Sequence, residues 1–144
     1  MLLQQRAAEK YHSAGKWANA CCSHPMPGEE AILGGQRRLF EELGLHAELR
    51  EIATFIYRAE LDHGLTEHEY DHVLLGTTDA TPMPNPDEVQ AWRWASIPRI
   101  RKEIAREPEK FAIWYRIIME LLEQNKELFP LIEDSQFTRR SAAK

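Results

Sequence analysis

Glu29-Glu30-Ala31-Ile32-Leu33-Gly34-Gly35-Gln36-Arg37-Arg38-Leu39-Phe40-Glu41-Glu42-Leu43-Gly44-Leu45 is the stretch on which the reading of this 144-residue chain turns. Ile32, Leu39 and Leu43 recur at helical spacing on one face, so a helix is expected over 29–43. Gly44 stands where a left-handed C-terminal cap belongs. Gly34 and Gly35 weaken the interior by about 1 kcal/mol each relative to alanine. On such a helix Arg37 meets Glu41 and Arg38 meets Glu42 at i, i+4, and pairs of this kind are ordinary helix-surface partners. They also suit a second role. A carboxylate face including Glu29 can bind a divalent cation that holds a diphosphate, with arginines close by to neutralise the phosphate. Mg2+ prefers a few carboxylates plus phosphate oxygens to an all-protein cage.

Working outward, residues 2–7 read as a strand that begins at the first residue, 10–15 as a loop and 17–23 as a second extended run. Two prolines and a glycine make 24–28 a turn. Beyond the helix, 48–60 reads as a strand or strand pair, 62–65 as a turn and 67–77 as a strand. A proline-rich loop at 78–86 leads to a short strand at 89–95. From Pro98 onward the pattern is helical, with Phe111, Trp114, Ile117, Ile118, Leu121 and Leu122 at helix spacing. Elements joined in this way favour an α+β sandwich with a mixed sheet over a doubly wound parallel sheet. One domain is expected over 1–134, with a flexible polar tail at 135–144.

Lys and Arg number 18 against 23 Asp and Glu, a net charge of -5, which argues against a nucleic-acid partner. The charge is uneven. Residues 1–58 hold seven acids and seven bases, so the surplus of acids lies wholly in the remainder. No apolar run reaches the roughly 18 residues of a membrane span. The start lacks the layout of a signal peptide, and the two cysteines, Cys21 and Cys22, are adjacent and poorly placed to pair. A reducing cytoplasm is the expected setting.

Two further clusters can carry chemistry. In an extended segment Cys22 and His24 share a side, so a thiol lies beside an imidazole that can act as a base or bind metal. The plainer reading is a buried small residue next to a surface histidine. Glu67 and Glu69 also share a face, as a metal site, an acid–base pair or a solvated strand. Asp71 continues that face and supports the solvated reading.

The opening stretch resembles the Nudix signature. Glu29, Arg37, Leu39, Glu41, Glu42, Gly44 and Leu45 fall at its spacing, while Ser23 replaces its first glycine and Arg38 the glutamate of its Arg-Glu pair. These departures resemble the type I isopentenyl-diphosphate isomerase branch. So do Trp17-Ala18-Asn19-Ala20-Cys21-Cys22-Ser23-His24-Pro25, Tyr57-Arg58-Ala59, Glu67-His68-Glu69 and Trp114. The resemblance implies a Nudix-type α/β/α sandwich with a C-terminal helix. It implies interconversion of isopentenyl and dimethylallyl diphosphate in isoprenoid biosynthesis, by adding one proton and removing another.

By the same resemblance, Cys22 and Glu69 are the proton carriers and Tyr57 hydrogen-bonds near that glutamate. Trp114 offers its indole face to a carbocation. Arg6, Lys10 and Arg38 clamp an allylic or homoallylic diphosphate. His24, Glu67 and Glu69 ligate a divalent metal such as Mn2+, Zn2+ or Mg2+, and Glu42 holds a Mg2+ that bridges to the diphosphate. The family draws two more histidine ligands from a segment ahead of the first strand here. His12, His46, His63, His68 and His72 do not occupy those positions. The chain is therefore expected to be short at its N-terminus, with weakened metal affinity and impaired isomerase activity. The alternatives are a pyrophosphohydrolase acting on a nucleoside or prenyl diphosphate and a non-catalytic diphosphate-binding remnant.

Overall fold

Leu2 and Leu3, adjacent on the first strand, point into different cores. Strand side chains alternate between faces, so one strand serves two apolar layers. In the computed structural model, which describes residues 1–125 and 127, β1 (Leu2–Arg6) is the central strand of a three-stranded sheet. It pairs antiparallel with β2 (Trp17–Asn19) and with β5 (Val89–Trp94). Leu2 packs with Val89 and with Leu39 and Leu43 of α1 (Ala31–Leu43). Leu3 packs on the opposite side with residues of α2 (Ile97–Arg106) and α3 (Ile113–Gln124), among them Ile100, Tyr115 and Leu122. This is the sandwich expected from the sequence.

A second sheet is the hairpin of β3 (Arg50–Glu60) and β4 (Thr66–Leu75), joined by a tight turn in which His63 and Gly64 adopt left-handed backbone. Its register sets Tyr57 opposite Glu69 and Ala59 opposite Glu67. Tyr57 and Val73 join the core, so Glu67, Glu69 and Asp71, in step with Val73, face inward as well. Pairing is antiparallel throughout both sheets. The parallel component of the expected mixed sheet is confined to an isolated bridge between Trp17 and Phe111.

The helix expected over 29–43 spans Ala31–Leu43 and ends on Gly44 in the left-handed region, its N–H donating to the Phe40 carbonyl at 2.8 Å. Its internal glycines have a use. A Cβ on Gly34 would stand 3.2 Å from the Cα of Pro25, and one on Gly35 would stand 2.6 Å from a methyl of Leu74. The loop before the helix and strand β4 therefore approach its backbone closely.

Two expectations need correction. The extended run over 17–23 stops at Asn19, whose side chain donates to the Cys21 carbonyl at 2.6 Å and so competes with the ladder. The continuous helix expected from Pro98 is two helices. Pro108 supplies no N–H and drives Glu107 out of helical geometry (φ -141°, ψ 63°). The tail expected at 135–144 lies outside the described residues. No helix among the described residues is long and apolar enough to cross a membrane.

Candidate active site

Eight of the ten residues singled out from the sequence line one cavity of about 880 Å3: Arg6, Lys10, Cys22, His24, Arg38, Glu67, Glu69 and Trp114. The other two stand directly behind them. The Tyr57 hydroxyl donates to Glu67 Oε2 at 2.6 Å, and Glu42 pairs with Arg38. Tyr57 thus bonds to Glu67 rather than to Glu69, its partner across the ladder.

Because the strand ends at Asn19, Cys22 and His24 do not share a face in the way an extended segment requires. Cys22 packs against the core, and its thiol meets Asn19 Oδ1 at 3.6 Å and the Gln4 amide at 3.8 Å. His24 remains 72% exposed at the rim, with Nε2 at 2.8 Å from Glu69 Oε1. Burial, followed by the charge of Glu42, pushes the Cys22 thiol up to about 12, with Arg6 and Trp114 opposing. At neutral pH this thiol keeps its proton.

Asn19 is a residue whose role the sequence reading missed. Its Oδ1 accepts from Trp114 Nε1 at 3.2 Å as well as from Cys22, tying the indole to the thiol. Its place in the Trp-x-Asn string was the available signal. The solvated reading of Asp71 is overturned. The residue faces inward on the cavity wall, and burial, followed by Glu69 and Glu67, raises its carboxyl to about 6.

The basic residues are tightly engaged. Arg6 is buried, stands 5.3 Å over the Trp114 ring and donates to the His12 carbonyl at 3.3 Å. Arg38 pairs with Glu41 at 2.7 Å, Glu42 at 3.0 Å and Glu88 at 3.2 Å, and Glu88 also takes Lys10. Burial works to raise the Glu88 carboxyl, but the hydrogen bonds from Lys10 and Arg38 win and lower it. Glu88 is a second residue missed from sequence, since neither spacing nor signature links it to the two cations.

On α1, Arg37 holds Glu29 through a two-pronged pair at 2.8 Å and 2.8 Å, and Glu29 also accepts from the Met26 N–H. Glu42 is 2% exposed and accepts from the Gln4 amide at 2.9 Å, and burial raises its carboxyl. Glu29, Glu41 and Glu42 are all engaged by arginines, and Glu42 is the most deeply buried of the three, behind the cavity wall. One buried carboxylate fits a Mg2+ that brings phosphate oxygens with it better than it fits a full protein cage.

His12 is a third residue missed from sequence. It lines the cavity, is buried, and places Nε2 at 3.5 Å from Glu67 Oε1. Burial and then Arg6 lower its pKa, so the ring is neutral at pH 7. Among the described residues no three His, Cys, Asp or Glu side chains converge on one point. The donors stand as two pairs, His12 with Glu67 and His24 with Glu69. Two imidazoles and two carboxylates form a donor set that fits Mn2+ or Zn2+.

Comparison with known proteins places this arrangement. The model of the NUDIX domain matches residues 1–116. The fold resembles the crystal structure of the MutT protein from Methanosarcina mazei Go1, with a TM-score of 0.66 at 20% identity, over 87% of this chain and 83% of that one. The chain belongs to the Nudix family. Within it, the chain is 50% identical over 117 residues to an isopentenyl-diphosphate Delta-isomerase of Pectobacterium atrosepticum, covering 81% of this chain and 65% of the relative. It is 46% identical over 126 residues to the protein of the same name from Serratia proteamaculans, covering 88% of this chain and 70% of the relative. It is a member of the isopentenyl-diphosphate Delta-isomerase family, and spans about two thirds of these relatives' length.

Proposed function

We propose that this protein is an isomerase that interconverts isopentenyl and dimethylallyl diphosphate. The observation that supports this most is that one cavity wall gathers a protonated thiol, a carboxylate pair, an indole and three cationic side chains. Moving a double bond along an unactivated alkene requires a proton donor, a proton acceptor and shelter for positive charge between them.

Arg6, Lys10 and Arg38 grip the diphosphate, whose binding energy fixes a small alkene that has no polar handle of its own. Cys22 enters with its proton, its thiol placed against Asn19 and Gln4. Glu69, on the carboxylate wall of β4, is the second proton carrier. Tyr57 orients Glu67 beside it. The Trp114 face, kept in place by its bond to Asn19, stabilises the cation formed in the alkene. His24, Glu67 and Glu69 hold a divalent cation, of Mn2+, Zn2+ or Mg2+ type, and Glu42 holds a Mg2+ with the diphosphate. Bound cations supply the positive charge that offsets the diphosphate and the clustered acids.

The rival reading is diphosphate hydrolysis through the signature helix. Arg38 occupies the position where a hydrolase carries a carboxylate, and Arg37 engages Glu29 and Glu41. Replacing Cys22 by alanine separates the two. Isomerisation of isopentenyl diphosphate is abolished in Cys22→Ala, and phosphate release from a diphosphate panel is absent in both proteins. Phosphate release that survives in Cys22→Ala overturns the isomerase reading.

A further inference from the structure

Glu67 has its two oxygens committed differently. Oε2 accepts the Tyr57 hydroxyl at 2.6 Å, whereas Oε1 faces His12 Nε2 at 3.5 Å. That second separation is long for a hydrogen bond. It matches two atoms bound to one ion. With metal bonds of about 2.1 Å, neighbouring ligands stand about 3.0 Å apart at right angles and about 3.4 Å apart in a tetrahedron. The pair of His24 and Glu69, at 2.8 Å, has instead the length of a direct hydrogen bond.

The other side of the His12 ring agrees. Nδ1 lies 3.4 Å from the Ser13 hydroxyl, and Ser13 is buried in a left-handed backbone conformation (φ 50°). That separation too is long, but the hydroxyl is the polar partner on this side of the ring; in the tautomer with the proton on Nδ1, the Nε2 lone pair is directed at Glu67, the arrangement a metal-binding histidine uses. Tyr11 abuts the ring edge-on at 4.5 Å, Trp114 stands at 6.0 Å, and Arg6 fixes the His12 carbonyl. The ring is oriented from three directions, with only Nε2 left to engage.

We infer that His12 is a ligand of the divalent cation held by Glu67, a role that neither the signature nor the resemblance gives it. The inference rests on the cation site proposed above and adds one donor to it. The test is Mn2+ titration of the full chain, followed by the electron paramagnetic resonance signal of the free ion. The proteins compared are the unaltered chain, Glu67→Gln, His12→Gln, and His68→Gln as an outward-facing control.

His12→Gln weakens Mn2+ binding about 10-fold or more, and its pulsed spectrum loses one imidazole nitrogen coupling; His68→Gln behaves as the unaltered chain. Weakening in Glu67→Gln with full affinity and all nitrogen couplings in His12→Gln overturns the inference and leaves the site standing. Unchanged binding in both variants refutes the site itself, and the inference with it. If His12→Gln does not fold, imidazole 15N resonances of the unaltered chain decide. Addition of Zn2+ shifts His12 Nε2, and an unmoved resonance overturns the assignment.

Discussion

On and just before α1, Glu29, Glu41 and Glu42 are each answered by a guanidinium; on β4, Glu67 and Glu69 are answered by a phenol and two imidazoles, and Asp71 stands beside them. The difference lies in what can change. A guanidinium is always charged, so the ion pairs of the helix network do not depend on the proton state of their basic partner. Imidazoles and a phenol carry charge only according to proton or metal, so the strand row stays responsive. Two members of these rows, Glu29 and Asp71, shift in opposite directions. The Arg37 hydrogen bonds hold Glu29 down at about 2, whereas burial and like charges lift Asp71 to about 6. In the proposed reaction the strand supplies a proton carrier and the helix supplies charge for the diphosphate, although the helix carries the more familiar sequence pattern.

The same glutamate-to-glutamine change on the two rows separates them most sharply. Glu69→Gln lowers isomerisation turnover by about 10^2-fold or more, as loss of a proton carrier does. Glu41→Gln, on the exposed arginine-paired side, changes turnover less than about twofold. Next in size is Arg38→Gln, which leaves the buried Glu42 without its cation. Urea unfolding should show a loss of about 3 kcal/mol, together with a raised KM for the diphosphate. Smaller again is Gln4→Leu. Gln4 touches both Glu42 and Cys22, and removing its amide leaves the buried carboxylate short of a donor, costing about 1–3 kcal/mol.

The smallest effects are pH slopes of melting temperature in the presence of a chelator. The ordinary Glu29 value of 4.5 drops to about 2 on folding. Its stabilisation is complete above 4.5 and fades as pH falls toward 2, so Glu29→Gln flattens the acid limb. The ordinary Asp71 value of 3.8 rises to about 6. Its contribution is complete below 3.8 and fades as pH rises through 6, so Asp71→Asn flattens that decline.

The helix row was legible because its partners are local. The i, i+4 pairs, the terminal glycine and the apolar face all lie within one 17-residue window. The alternation of β4 was legible too, but not which face is inside. Asp71 reads as solvent-facing until Val73, two residues on, is seen in the core. His12 and Glu67 are 55 positions apart in sequence, and nothing in local spacing announces that the loop after β1 and the hairpin bring them to one cavity. Glu88 is hidden for the same reason. The end of β2 at Asn19 follows from a side chain that binds backbone and thiol in preference to extending the ladder. Pro108, by contrast, was an available signal for the helix break and outweighs the apolar periodicity that runs across it.

The central claim is that the thiol and the strand row together move protons on an alkene. Incubating the protein with isopentenyl diphosphate and Mg2+ in deuterated water, with and without added Mn2+, tests it by nuclear magnetic resonance. The account predicts dimethylallyl diphosphate that carries deuterium in its newly formed methyl group, with the diphosphate intact. Unchanged isopentenyl diphosphate under both metal conditions, or release of phosphate in place of a shifted double bond, would contradict it.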